Sequence, residues 1–167
     1  TITNHGRIDA QGSGIWLSQS NENDILNGGT INAAKSGIYI GSASATNSGT
    51  ITNTGNITAS SSANDTYGIN LLGDLDGEII NSGDIDVTST NDDAYGIYIG
   101  DGMDGEIRNS GDINVDSTNG DGYGIYIGGG MSTDAMDGNI TNSGNIAATI
   151  DGSLSKDGYS LAIDEFF

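Results

Sequence analysis

Four aspartates stand two places ahead of a tyrosine: Asp65 before Tyr67, Asp93 before Tyr95, Asp121 before Tyr123 and Asp157 before Tyr159. Carboxylates repeated in this way fall into register when the chain stacks on itself, and like charges in register repel. A hard cation with oxygen ligands relieves that repulsion, and calcium accepts irregular sets of carboxylates and carbonyls. Asp65, Asp93, Asp121 and Asp157 are therefore the candidate calcium ligands. A second acidic file is Asp76, Asp104 and Asp137, and a third is Asp84 and Asp112, flanked by Glu78 and Glu106. The competing reading is a solvated acidic surface with its carboxylates splayed into water. The spacing matches neither the EF-hand loop nor the glycine-rich nonapeptide repeat, and Asp74 to Gly77 is too short a match to count. No cofactor is required.

Nucleophilic and acid–base chemistry finds less support. Cleavage of a polysaccharide needs a basic residue or a dedicated carboxylate pair in a groove. Asp92 and Asp93 are adjacent, so a strand would point them to opposite faces. Each prominent acidic residue has a counterpart one repeat away, which suits a surface rather than a unique site. His5, the single histidine, sits inside a turn motif and reads as a solvated turn residue. The expectation is no catalytic residue and no enzyme. Trp16, Tyr39, Tyr98 and Tyr126 share one repeat position, interrupted by Asn70, and predict an outward aromatic file that stacks on glycan rings, packs on a neighbour or is plain surface. Threonine files that would order water as ice are not expected, because Thr52, Thr58, Thr88 and Thr141 form no single column.

What must position these residues is a repeat. Gly77 to Ile99 reads GEIINSGDIDVTSTNDDAYGIYI and Gly105 to Ile127 reads GEIRNSGDINVDSTNGDGYGIYI, with Ile79 and Ile107 28 residues apart. A repeat of that length, with β-branched residues at alternate places, predicts a solenoid. Each coil is expected to hold three short strands, and the coils fall near 1–24, 25–45, 46–72, 73–100, 101–128 and 129–167. Alternation predicts that Ile85, Val87, Ile97, Ile99, Ile113, Val115, Ile125 and Ile127 point inward. Tyr98 and Tyr126 then point out, stacked roughly 4.8 Å apart. Tyr67, Tyr95, Tyr123 and Tyr159 share parity with the isoleucines and are expected to close one edge of the core. Leu75, Met103 and Met136 form a second small apolar file.

Asparagine follows an inward isoleucine by two at ITNHG, ITNTG, IINSG, IRNSG and ITNSG. Stacked amides of this kind bond along a column, and Asn-x-Gly tolerates the left-handed conformations a corner is expected to need. From the corner glycine to the third-strand glycine is 8 residues in coils one and two but 13 in coils three to five. The added polar residues are expected to bulge sideways as a ridge.

Composition agrees once the repeat is recognised. The formal charge of −19 and the 34 Leu, Ile, Val and Phe residues among 167 would otherwise suggest disorder. A solenoid needs only a narrow apolar column. There are 28 Gly and no Pro, which keeps the ladder hydrogen bonds intact. With no cysteine, redox compartment cannot be read. Arg7, Lys35, Arg108 and Lys156 are the only fixed cations, too few and too scattered for a phosphate backbone, so nucleic acid is excluded as a partner and an anionic membrane is disfavoured. No apolar run reaches the length of a membrane helix, so this segment is not expected to insert. The opening on Thr1 suggests a processed or excised piece.

Taken together, Gly-x-Ile-x-Asn-Ser-Gly-x-Ile followed by a Tyr-Gly-Ile-Tyr-Ile strand resembles the repeats in passenger regions of bacterial autotransporters, the type V secreted surface proteins. The likeness extends from Ile2 through the ITNSG at Ile140. It implies a right-handed parallel β-helix on the bacterial cell surface serving adhesion, aggregation or biofilm formation, with other surface proteins, glycans or copies of itself as partners. The reading is an all-β, single-domain β-helix of about six coils over residues 1–167. An extracellular adhesive segment is the first function expected, an end-to-end extracellular filament, with or without calcium, the second, and a glycan-active enzyme the third. The apolar tail Ile163-Asp-Glu-Phe-Phe is expected to plug one end.

Overall fold

In the computed structural model, which describes residues 1–129, 138–151 and 156–164, the chain is all β and winds as a parallel solenoid of six coils. Coil one holds β1 (Ile2–Asn4), β2 (Arg7–Ala10) and β3 (Ile15–Leu17). Coil two holds β4 (Ile25–Asn27), β5 (Thr30–Ala33) and β6 (Ser36–Ile40). Coil three adds a short leading strand, β7 (Thr46–Asn47), before β8 (Thr50–Asn53), β9 (Asn56–Ser61) and β10 (Thr66–Leu71). Coil four repeats this with β11 (Asp74–Leu75), β12 (Glu78–Asn81), β13 (Asp84–Ser89) and β14 (Ala94–Ile99). Coil five has β15 (Glu106–Asn109), β16 (Asp112–Ser117) and β17 (Gly122–Gly128), and coil six β18 (Asn139–Asn142), β19 (Asn145–Ile150) and β20 (Gly158–Asp164). First, second and third strands each build a six-stranded parallel sheet, and β7 pairs with β11 at the fourth corner.

Register is set by columns of identical side chains. Ile2, Ile25, Ile51, Ile79, Ile107 and Ile140 stack in the first sheet, and Ile8, Ile31, Ile57, Ile85, Ile113 and Ile146 in the second. All eight residues expected inward are buried, at 0 or 1% exposure. Each such isoleucine contributes about 1.5–3 kcal/mol by leaving water. The core takes one isoleucine per strand from the first sheet and two apolar residues per strand from the second and third, so a modest apolar content fills it. Leu75 and Met103 are buried and bridged as expected. Their column begins, however, with Asn21 and Asn47, whose amides bond at 2.7 Å. Met136 lies outside the described residues.

The corner glycines correct the conformational expectation. None of Gly29, Gly55, Gly83, Gly111 and Gly144 lies in the left-handed region. Glycine is needed there because the coil beneath comes too close: a Cβ at each would sit 2.0 Å from the carbonyl oxygen of the preceding corner glycine. Gly6, with no described coil beneath it, would have nothing within 4 Å.

The tyrosine expectation is corrected at a second set of glycines. Strand pairing passes over Gly68, Gly96 and Gly124, and a Cβ on any of them would point inward onto the next coil's isoleucine, 2.2 to 2.4 Å from its Cγ2. Alternation slips one place there, so Ala94 and Ile97 both face in. Tyr67, Tyr95 and Tyr123 are thereby turned to the outer face instead of closing the core, where their rings meet those of Tyr98 and Tyr126, and Tyr159, ahead of Ser160 rather than a glycine, stacks on Tyr123. The lengthened loops also differ from a simple ridge. Two of the five added residues prolong β9, β13 and β16, and Ser89 and Ser117 turn inward to reach carbonyls of the preceding coil's turn at 3.4 and 3.2 Å.

Candidate functional site

Two polar ladders tie coil to coil, the first through all six coils and the second through coils three to six. In the first, each corner asparagine donates from Nδ2 to Oδ1 of the next: Asn4 to Asn27, Asn27 to Asn53, Asn53 to Asn81, Asn81 to Asn109 and Asn109 to Asn142, at 2.7–2.8 Å. The same Nδ2 atoms donate to corner carbonyls, as Asn81 does to Gly83 at 3.0 Å, which fixes the sense of each amide. These are buried polar groups with their bonding capacity met, as the spacing predicted.

The second ladder is built by the aspartates singled out for calcium. Each sits on the turn before a third-sheet strand, with its tyrosine two residues on and pointing the same way. Oδ1 of Asp65 accepts the backbone N–H of Asp93 at 3.1 Å, Asp93 that of Asp121 at 2.7 Å, and Asp121 that of Asp157 at 3.1 Å. Oδ2 of Asp65, Asp93, Asp121 and Asp157 accepts the phenol of Tyr67, Tyr95, Tyr123 and Tyr159 at 3.1–3.4 Å. Lys156 Nζ stands 3.9 Å from Asp121 Oδ1. Every carboxylate in the file thus meets fixed donors, which offsets a repulsion of roughly 1 kcal/mol per neighbouring pair in water.

Above the carboxylates lie two aromatic columns. Tyr67–Tyr95 and Tyr95–Tyr123 stack with ring centroids 5.0 Å apart, Tyr123–Tyr159 at 5.5 Å and Tyr98–Tyr126 at 5.3 Å. The columns meet edge to face at 5.1–5.7 Å. Burial, seconded by the neighbouring carboxylates, pushes the Tyr67, Tyr95 and Tyr123 phenols well above their ordinary range. Stacked rings turn their faces on each other and show edges to solvent, leaving little flat surface for a sugar. Trp16, 67% exposed, is the freest aromatic of its file.

The remaining acidic groups are dispersed. Arg108 bridges Glu78 at 3.0 Å and Glu106 at 2.6 Å, and Asn145 donates to Asp112 at 2.9 Å. Asp74, set aside in the sequence as part of too short a motif, accepts the Gly102 N–H at 2.9 Å, and burial raises its carboxyl, as do Asp101, Asp76 and Asp104. The 28-residue offset between Asp74 and Gly102 was the available signal. Asp76 and Asp104 are exposed, and Asp137 lies outside the described residues. His5 is exposed. Among the described residues, no three His, Cys, Asp or Glu side chains gather closely enough to hold a metal ion. Among the described residues, no helix is long and apolar enough to cross a membrane.

Nothing matches in sequence or fold. Protein-family models, curated proteins and solved structures all returned no counterpart of this chain. Chemically, the arrangement does one thing repeatedly: it consumes each coil's polar groups in holding the next.

Proposed function

We propose that this chain is a structural segment of a bacterial surface protein of the autotransporter-passenger type, displayed outside the cell and serving adhesion, aggregation or biofilm formation. The observation that carries the reading is the closure of the polar ladders. The asparagine and aspartate side chains repeated from coil to coil bond to neighbouring coils, which suits a stiff spacer presenting a long surface. The reading assigns no catalytic step. Display of the chain on bacteria through an unrelated membrane anchor tests it. Displaying cells should clump or coat a surface more than cells carrying an unrelated domain of equal charge. Equal behaviour would reject adhesion, and turnover of a polysaccharide would revive the glycan-active reading.

An end-to-end filament is the second reading. Coil six leaves Leu161 46% and Ile163 43% exposed, where Ile125 and Ile127 beneath them are buried. Ser160 weighs against it, because it stands where lower coils carry glycine. Gly124 could hold no Cβ, which would lie 2.6 Å from the Ser160 carbonyl oxygen, so a further coil in the same register would crowd the Ser160 Cβ equally. Negative-stain microscopy with calcium and with chelator decides: fibres that dissolve in chelator would favour this reading and would bring calcium to Asp65, Asp93, Asp121 and Asp157, whereas monomers in both would dismiss it.

A further inference from the structure

The chain has no cysteine, so no disulfide ties one coil to the next. Six of its seven tyrosines instead lie in the two columns, ring over ring. Parallel pairing sets each ring over its counterpart one coil away, and the rings of Tyr67, Tyr95 and Tyr123 are nearly parallel, at interplanar angles of 9° and 6° with centroids 5.0 Å apart. Each of these phenols donates to a carboxylate at 3.2–3.4 Å. A phenol that gives up an electron must also give up its proton, and a carboxylate already bonded to the O–H is a positioned acceptor. Tyr159, 42% exposed and stacked on Tyr123, opens the column to solvent.

The geometry points to an oxidative cross-linking site: with a one-electron oxidant of the peroxidase class, fed by hydrogen peroxide, Tyr95 joins Tyr67 or Tyr123 through a carbon–carbon bond, with Asp65, Asp93 and Asp121 receiving the phenolic protons. Two phenols each lose one electron to the oxidant and one proton to the aspartate, leaving two phenoxyl radicals. The radicals couple at their ortho carbons. The hydrogen on each joined carbon then shifts to the oxygen, restoring both aromatic rings, and the aspartates pass their protons to solvent. The two electrons and two protons reduce one peroxide to two waters. The product is dityrosine, a covalent rung between coils that takes the place of the missing disulfide.

Photo-oxidation of the dilute purified chain with tris(bipyridine)ruthenium(II) and persulfate tests this. Dityrosine fluorescence should appear in a product that remains monomeric and is two hydrogens lighter per link, with peptide mapping placing the link at Tyr67–Tyr95 or Tyr95–Tyr123. Tyr95→Phe should remove those links and leave any at Tyr98–Tyr126, which also reports that the variant is folded. Asp93→Asn keeps an acceptor for the phenol but not a base, so links through Tyr95 should fall severalfold while Tyr98–Tyr126 is unchanged. Links only between chains, or the same link pattern in urea, would overturn the site. An undiminished Tyr95 yield in Asp93→Asn would overturn the role given to the carboxylate.

Discussion

At the scale of single residues, the fold is held by contacts that tolerate one side chain only. Asn81 receives from Asn53 and donates to Asn109, and it is fully buried. Replacement by alanine strands a donor and an acceptor in the core, and urea denaturation of Asn81→Ala should show a loss of about 2–4 kcal/mol. Glycines divide by whether a coil lies beneath them. Gly83→Ala forces a Cβ against the Gly55 carbonyl and should cost about 3 kcal/mol. Gly6→Ala, with open space around it, should change stability by no more than about 0.5 kcal/mol. Equal losses in the two variants would refute the close-approach account. The asparagine column was legible in the sequence because it obeys a fixed offset from isoleucine. The reason for the glycines was not, since a residue without a side chain does not say whether it is there for its dihedral angles or for its size.

Among the elements, the third-sheet strands carry most of what sequence could not give. Alternation is a sound rule until a bulge intervenes, and the slip at Gly68, Gly96 and Gly124 moved Tyr67, Tyr95 and Tyr123 to the other face. The same strands explain Asn70. Tyr39, Tyr98 and Tyr126 are each followed two places on by a glycine, and a Cβ there would meet the ring at 2.1, 3.1 and 3.4 Å. Asn70 is followed by Leu72 instead, and it is buried with its Oδ1 unpaired. Asn70→Tyr alone should therefore destabilise, whereas Asn70→Tyr with Leu72→Gly should recover the loss, with a coupling of about 1 kcal/mol in a double-mutant cycle. Strict additivity would reject the pairing. The tyrosine column also sets a limit in alkali. Burial holds the folded phenols above the ordinary value of 10.0. Their contribution to stability is complete below pH 10 and is lost as pH rises beyond it, because only the unfolded chain ionises there. Tyrosinate absorbance should therefore appear together with loss of strand circular dichroism, not ahead of it.

Across the whole molecule, the parallel coil was legible because the core is a set of vertical columns, each visible as a periodicity of one residue type. The acidic files were legible as files. Their use was not, because a carboxylate that meets a backbone N–H one turn above has the same sequence signature as one that awaits an ion. Since each coil touches its neighbours alone, stability should be nearly a sum over coils. Excision of residues 78–105, one full period, should leave a chain that folds with the same circular dichroism per residue and a lower melting temperature, and an unfolded product would contradict that independence. The amide column adds a property no single coil has. Asn27, Asn53, Asn81 and Asn109 each give an N–H to the coil above and take one from the coil below, so the side-chain dipoles add head to tail and the rod has a north and a south. Two such rods meeting at like poles would set amide N–H against amide N–H or oxygen against oxygen, and only opposite poles attract.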